Sequence, residues 1–183
     1  NLDIDELKKS KIDSNKSEAQ YIIYSFYLQD LYEHVNNIKP NPKDTIYVGH
    51  PFNQVKSLNG FLPDTYLNST NQIYTNNIGR DWGGFLQIFN QITSLNEISF
   101  ISHVKKSPYH SNIYAKKWIQ EIAAPIKLNK DGLVTQYMLN NKNTGIIASK
   151  MHKDFGIGKN FTIYHKLCNI LEIPIKFREI NYL

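Results

Sequence analysis

Cysteine is almost missing from this chain. Cys168 is the only one in 183 residues, so no intrachain disulfide can form and a disulfide-stapled secreted scaffold is excluded. A reducing compartment is the simplest expectation. Long apolar runs are also lacking: YIIYSFYL and GIIAS are far shorter than the roughly 20 residues needed to span a bilayer. No segment has the layout of a signal peptide, although a chain that begins with Asn in place of Met makes that absence weak evidence. The histidines, among them His50, His103, His110 and His152, show no His-x-x-x-His spacing, and there is no paired-Cys motif, so no structural metal site is expected. Internal repeats and low-complexity tracts are absent. The glycines fit neither a Walker loop nor a dinucleotide fingerprint. Two triplets, Asn68-Ser69-Thr70 and Asn160-Phe161-Thr162, fit the glycosylation sequon, a pattern that arises readily by chance in an Asn-rich chain.

Hydrophobic residues make up 41% and aromatics 13%, which suffices for one folded core and argues against wholesale disorder. The formal net charge is +5 and the pI is about 9.1. That balance favours anionic partners: nucleotide phosphates, nucleic acid or an anionic membrane face. The aromatics fall mostly on stripes expected to be buried, so no stacking platform for nucleic acid is expected.

Residues 1–18 are charge-rich with scattered apolar positions and read as a linker or exposed helix; residues 19–183 read as a single domain. AQYIIYSF predicts a first strand, and Leu28, Leu31, Tyr32 and Val35 have the spacing of a helix face. KPNPKD stops that helix, TIYV is a second strand, residues 51–71 read as loop, and QIYT is a third strand. Trp82, Phe85, Leu86, Phe89 and Ile92 predict a buried helix starting near Asp81. EISFIS, Glu97 to Ser102, is a fourth strand. A helix around Lys116 to Ala124 should bury Trp118, Ile119 and Ile122, and Asp131 is placed to cap a helix through Met138. TGIIAS is a fifth strand, Phe161, Tyr164, Leu167, Cys168 and Leu171 make a last helical stripe, and IPIKF is a closing strand. This alternation predicts an α/β fold, a mostly parallel central sheet with helices on both faces.

Two stretches concentrate chemistry at strand ends. In Asn77-Ile78-Gly79-Arg80-Asp81, a glycine-bearing turn links the third strand to a helix, where open α/β sheets offer free backbone N–H groups and a helix dipole to phosphorylated ligands. Gly79 suits a tight turn, while Gly83 and Gly84 permit close packing or close approach of a ligand. Arg80 presents a fork for phosphate or carboxylate oxygens, and Asp81 either caps the helix or accepts hydrogen bonds from ligand hydroxyls. The same residues also read as a capped helix with an Arg–Asp surface pair. In Ser102-His103-Val104-Lys105-Lys106-Ser107, positive charge crowds the end of the fourth strand, as an anion site or as a solvated basic loop. The two stretches reinforce each other only if the third and fourth strands are neighbours. Asp154, beside the glycines of Met151-His152-Lys153-Asp154-Phe155-Gly156-Ile157-Gly158, is a further candidate carboxylate or a turn residue.

Taken together, YIIYSFYLQDLYEHV, TIYVGHP, NIGRD, HVKKS and the spaced Trp118 resemble the rhamnan synthesis protein F family of bacterial polysaccharide biosynthesis, over about residues 19–180. That family shows Asn-x-Gly-Arg-Asp, then His-Thr-Lys-Lys-Ser after a strand; here Val104 stands in place of the Thr. The family's later Gly-Thr-Met-Phe-Trp type segment has no counterpart, as expected of a truncated domain or a shortened member. The resemblance implies a GT-A-like domain that binds a nucleotide-diphospho-sugar and transfers its sugar, rhamnose being one candidate, to a cell-surface polysaccharide or lipid-linked acceptor. It implies a cytoplasmic location at the inner face of the membrane, with peripheral membrane association. Asp81 and Asp154 become the candidate catalytic carboxylates, and Asn77, Gly79, Arg80, His103, Lys105 and Lys106 the donor-binding set. Where many such enzymes hold the diphosphate with a metal on Asp-x-Asp, His103-Val104-Lys105 occupies the corresponding place. No cofactor is therefore expected, with Mg or Mn as the alternative. A domain that keeps this fold to bind saccharide or to scaffold a larger synthase, without catalysis, is the rival reading.

Overall fold

Five consecutive buried residues, Gln20–Tyr24, form strand β1 of the computed structural model, which describes residues 19–78, 80–104, 120, 123, 124, 126–144 and 147. A strand buried on both faces must lie inside a sheet covered from both sides. Strand β1 does so: it pairs in parallel with β2 (Thr45–His50) on one side and with β4 (Ser99–His103) on the other, and β3 (Thr70–Tyr74) extends the sheet beyond β2. The order is β3-β2-β1-β4, and every pairing among the described strands is parallel. The α/β expectation holds for this sheet.

Alternation along β1 divides the core into two layers. Tyr21 and Ile23 pack with Leu31, Val35 and Ile38 of helix α1 (Leu31–Ile38) and with Ile46, Val48 and Phe100. Ile22 and Tyr24 point to the opposite face, against Ile73 and against Phe85 and Ile88 of a second long helix. A single-turn helix α2 (Asp64–Leu67) interrupts the stretch that reads as loop, and the second long helix, α3 (Arg80–Phe89), follows β3. Placing α1 and α3 on opposite faces is what right-handed crossovers require when the chain runs outward from β1 to β3 and then returns to the other side of β1.

The buried faces of both helices differ from those the spacing predicts. In α1, His34 is buried where the pattern favours Tyr32, which is exposed. In α3, Phe85 and Ile88 are buried, whereas Trp82 is 79% and Leu86 64% exposed. Two apolar faces overlap on this helix, and the glycines decide between them. A Cβ at Gly84 would run into the Tyr24 ring, and one at Gly83 into the Ile78 carbonyl. The bare side of the first turn is thus pressed onto β1, which turns Trp82 and Leu86 outward.

Helix α4 (Leu133–Asn140) follows a 3-10 turn at Leu128–Asp131. Asp131 belongs to that turn and does not cap the helix: Gly132, with φ 72, holds the N-cap position. Support comes from buried Asn129, whose Oδ1 accepts from the Thr135 N–H at 2.8 Å and the Thr135 hydroxyl at 2.9 Å. Its Nδ2 donates to the Tyr21 hydroxyl at 3.1 Å, which ties α4 to β1. The linker at 1–18, most of the helix near Trp118, most of TGIIAS, the stripe from Phe161 to Leu171 and the IPIKF strand lie outside the described residues.

Candidate functional site

The two edges of the sheet treat their polar groups differently. At the amino edge, buried Gln20 donates to Ser99 Oγ at 2.7 Å and accepts from the Asn96 N–H at 3.2 Å. Asp44 accepts from the Ala19 N–H at 3.3 Å and the Asn41 N–H at 3.2 Å. That edge is stitched by side chains. At the carboxyl edge the backbone ladder continues one residue past the strands, with Ser25 N–H bonded to Gly49 O, Thr75 N–H to His50 O and Val104 N–H to Tyr24 O. There Ser25 Oγ is buried with no hydrogen-bond partner, while the Tyr24 hydroxyl and Thr75 Oγ1, also buried, are paired only weakly with each other. A buried hydroxyl without a partner costs about 1–3 kcal/mol.

This edge is also where the topology reverses. The chain proceeds from β1 to β2 to β3, and α3 then brings it back to β4 on the far side of β1. Loops diverge at such a point and leave a crevice outside the strand ends, the usual ligand position in open parallel sheets. The first turn of α3 overlooks that crevice.

Two of the residues singled out from sequence meet here. Asp81, in the first turn of α3, places Oδ2 3.7 Å from Nε2 of His103, the last residue of β4. The third and fourth strands are not neighbours, since β3 and β4 lie at opposite ends of the sheet; α3, packed across β1 and β2, is what carries Asp81 to the end of β4. Both side chains are partly exposed, at 39% and 25%, but the His103 Nε2 that faces Asp81 is itself buried. A carboxylate beside an imidazole can hold a proton and pass it on, and a protonated His103 adds positive charge at the strand end. Below the pair, burial first and the Asp81 carboxylate second push the Tyr24 phenol above its ordinary range. Tyr24 is thus a neutral donor at pH 7.

Asn77 lies exposed in the turn before α3. Arg80 opens the helix; its side chain, together with Gly79, Lys105, Lys106 and Asp154, lies outside the described residues. Among the described residues no group of three His, Cys, Asp or Glu converges as a metal ion would need.

Three contributors have no signature in the sequence. Gln87 clamps the turn: its Oε1 accepts from the Asn76 N–H at 2.6 Å, while its Nε2 donates to the Asn76 carbonyl and the Gly83 carbonyl, both at 3.0 Å. No spacing rule links a glutamine to a turn eleven residues earlier. His34 places Nε2 3.0 Å from the Ser102 hydroxyl, on the opposite face of β4 from His103. Burial, and secondarily the charge of His103, lowers its pKa to about 4. Tyr24 is the third, and its run of neighbouring apolar residues disguised it as core. His50 is a hydrogen-bonded histidine of the fold: its Nδ1 accepts from the Phe52 N–H at 3.2 Å, its Nε2 lies 2.8 Å from the Gln72 amide, and burial lowers its pKa.

Comparison of the chain with known protein families, curated proteins and solved structures gives no match.

Proposed function

We propose that this chain is a glycosyltransferase-like domain of GT-A type that takes a nucleoside-diphosphate sugar at the carboxyl edge of its sheet. The observation that carries this reading is the meeting of Asp81 from the first turn of α3 with His103 from the end of β4, at the edge where the topology reverses. Both residues belong to the stretches that resemble the rhamnan synthesis protein F family.

In this reading the diphosphate lies against the start of α3 and the end of β4. Backbone N–H groups of the Gly79 turn and the helix dipole favour its charge. Arg80, His103, Lys105 and Lys106 supply cations, and Asn77 supplies a polar contact at the turn. Transfer forms a bond from an acceptor hydroxyl oxygen to the anomeric carbon and breaks the bond from that carbon to the diphosphate. The diphosphate departs with the electron pair, so the cations that face it stabilise the charge that grows in the transition state. The hydroxyl proton goes to a carboxylate, Asp81 or Asp154. A bacterial cell-surface polysaccharide, or its lipid-linked precursor, is the acceptor in this reading, with rhamnose the first sugar to test. The work is placed at the inner face of the cytoplasmic membrane. Among the described residues no helix is long and apolar enough to cross one.

Calorimetry with UDP, GDP and dTDP and their sugar esters tests the proposal, and heat of binding from at least one is expected. A folded sample that binds none of them at millimolar concentration overturns it. Binding without transfer to any acceptor leaves the saccharide-binding or scaffold role. Asp81 lies inside the first turn of α3 and not at its N-cap, so Asp81→Asn keeps the size of the side chain there and loses only its charge. Transfer activity should fall in this variant while donor affinity and stability hold; unchanged transfer removes Asp81 from the mechanism.

A further inference from the structure

Trp82 is the residue that the preceding reading leaves unused. It follows Asp81 in the first turn of α3, and 79% of it is exposed. It is held by little more than an edge-to-face contact with Phe85, ring centroids 6.3 Å apart. Phe85 in turn lies against Tyr24, with centroids 6.2 Å apart, so a short aromatic series runs from the buried phenol out to the exposed indole. Gln87 and Gln91 occupy the side of α3 nearest β3, where they bond to Asn76 and to the Tyr74 carbonyl. Trp82 therefore projects from the flank of the helix nearer β4, the strand that ends in His103. On that strand Ile101, on the same face as His103, is itself 50% exposed.

An exposed indole next to a carboxylate and an imidazole is a mixed surface, flat and apolar on one side and rich in proton acceptors on the other. The ligand that matches both halves is a sugar ring. One of its faces presents C–H groups that pack on an aromatic plane, and its rim presents hydroxyls for Asp81 and His103. A lipid chain would use the indole and leave the polar half unmatched.

We propose that Trp82 is the platform on which the acceptor saccharide stacks, with Asp81 and His103 meeting its hydroxyl rim. This rests on the proposed glycosyltransferase function and names the class of its second substrate. Nucleotide and saccharide then occupy adjoining places, the nucleotide against the backbone and cations of the crevice and the saccharide on the outer flank of α3.

The test is tryptophan emission of the full chain, titrated with methyl glycosides of rhamnose, glucose, galactose and N-acetylglucosamine, and separately with UDP, GDP and dTDP. At least one glycoside should give a saturable change in emission that is lost in Trp82→Phe, which keeps only Trp118. By calorimetry, Trp82→Ala should weaken that glycoside roughly tenfold and leave nucleotide affinity within a factor of two. Because the side chain is exposed, the circular dichroism of both variants should match that of the parent chain. Nucleotide binding with no glycoside response overturns the platform and leaves the donor site standing. Full glycoside affinity in Trp82→Ala also overturns it, as does a Trp82 signal that only nucleotides elicit. If neither ligand class binds, the proposed function fails and the platform with it.

Discussion

Tyr24 shows how one residue serves both packing and site. Its ring fills the space that Gly84 leaves bare, and its hydroxyl ends at the carboxyl edge of the sheet, bonded only weakly to Thr75. Tyr24→Phe removes that weak bond and is expected to cost no more than about 1 kcal/mol of unfolding free energy. Gly84→Ala, which drives a methyl group into the ring, should cost roughly 1–3 kcal/mol. Urea denaturation of the two variants checks both, and a reversed order would mean that helix and strand are not in the close contact described. His34 gives a pH dependence of definite sign. Its pKa is lowered to about 4 in the fold and is near 6.5 when unfolded, so the unfolded chain binds the proton more tightly between those values. The stability gained from keeping it neutral is complete above about pH 6.5 and is lost as pH falls toward 4, by at most roughly 3 kcal/mol. His50, also lowered by burial, adds a change of the same sign. His34→Gln should flatten the fall in urea midpoint between pH 6.5 and 4; an unchanged slope would assign the acid sensitivity elsewhere.

At the scale of the element, α3 is the piece on which fold and site both depend. It crosses β1 and β2 on one face of the sheet, and its first turn opens on the crevice. Only a narrow face is anchored, with Ile88 fully buried and Phe85 6% exposed. Ile88→Ala is expected to lose about 2–5 kcal/mol, as truncation of a buried aliphatic side chain does. Leu86→Lys, two positions earlier on a largely exposed surface, should stay within about 0.5 kcal/mol. Thermal unfolding of the two variants distinguishes the observed face from the one the spacing favours. If Leu86→Lys were the more damaging, Trp82 and Leu86 would be the packed side. The Gln87 clamp fixes the turn between β3 and α3, so the carboxylate of Asp81 is delivered to His103 by a turn that is itself held by three hydrogen bonds.

For the whole molecule, a net charge of +5 sets how a diphosphate should be held. In the proposed reading Arg80, His103, Lys105 and Lys106 attract it through solvent, so donor affinity should drop visibly as salt is raised through the range where the screening length falls to about 8 Å. Since His103 and Lys105 stand where the resemblance would place metal-binding carboxylates, donor binding should survive a chelator. Lys105 and Lys106 changed together to Ala should remove most of the affinity and leave the melting temperature of the ligand-free chain unchanged. Calorimetry with and without EDTA decides the first point; loss of binding in the chelator, or a silent double variant, would return the basic stretch to a solvated loop.

The sequence by itself determined the class of the fold. The alternation of two-residue and 3.6-residue periods is local, and it already required strands and helices in turn, with a first strand apolar enough to be covered on both faces. It also marked Asp81 and His103 as chemistry at the ends of their elements. Only the tertiary structure decided that these two residues meet, because the order β3-β2-β1-β4 depends on pairings between strands far apart in the chain, which no local pattern encodes. The same limit applies to α3. Overlapping apolar faces satisfy one helical spacing almost equally, and the choice between them came from the fit of the Tyr24 ring against Gly84, a contact between residues sixty positions apart. Periodicity tells which residues can share a face, whereas packing in three dimensions selects the face that is used.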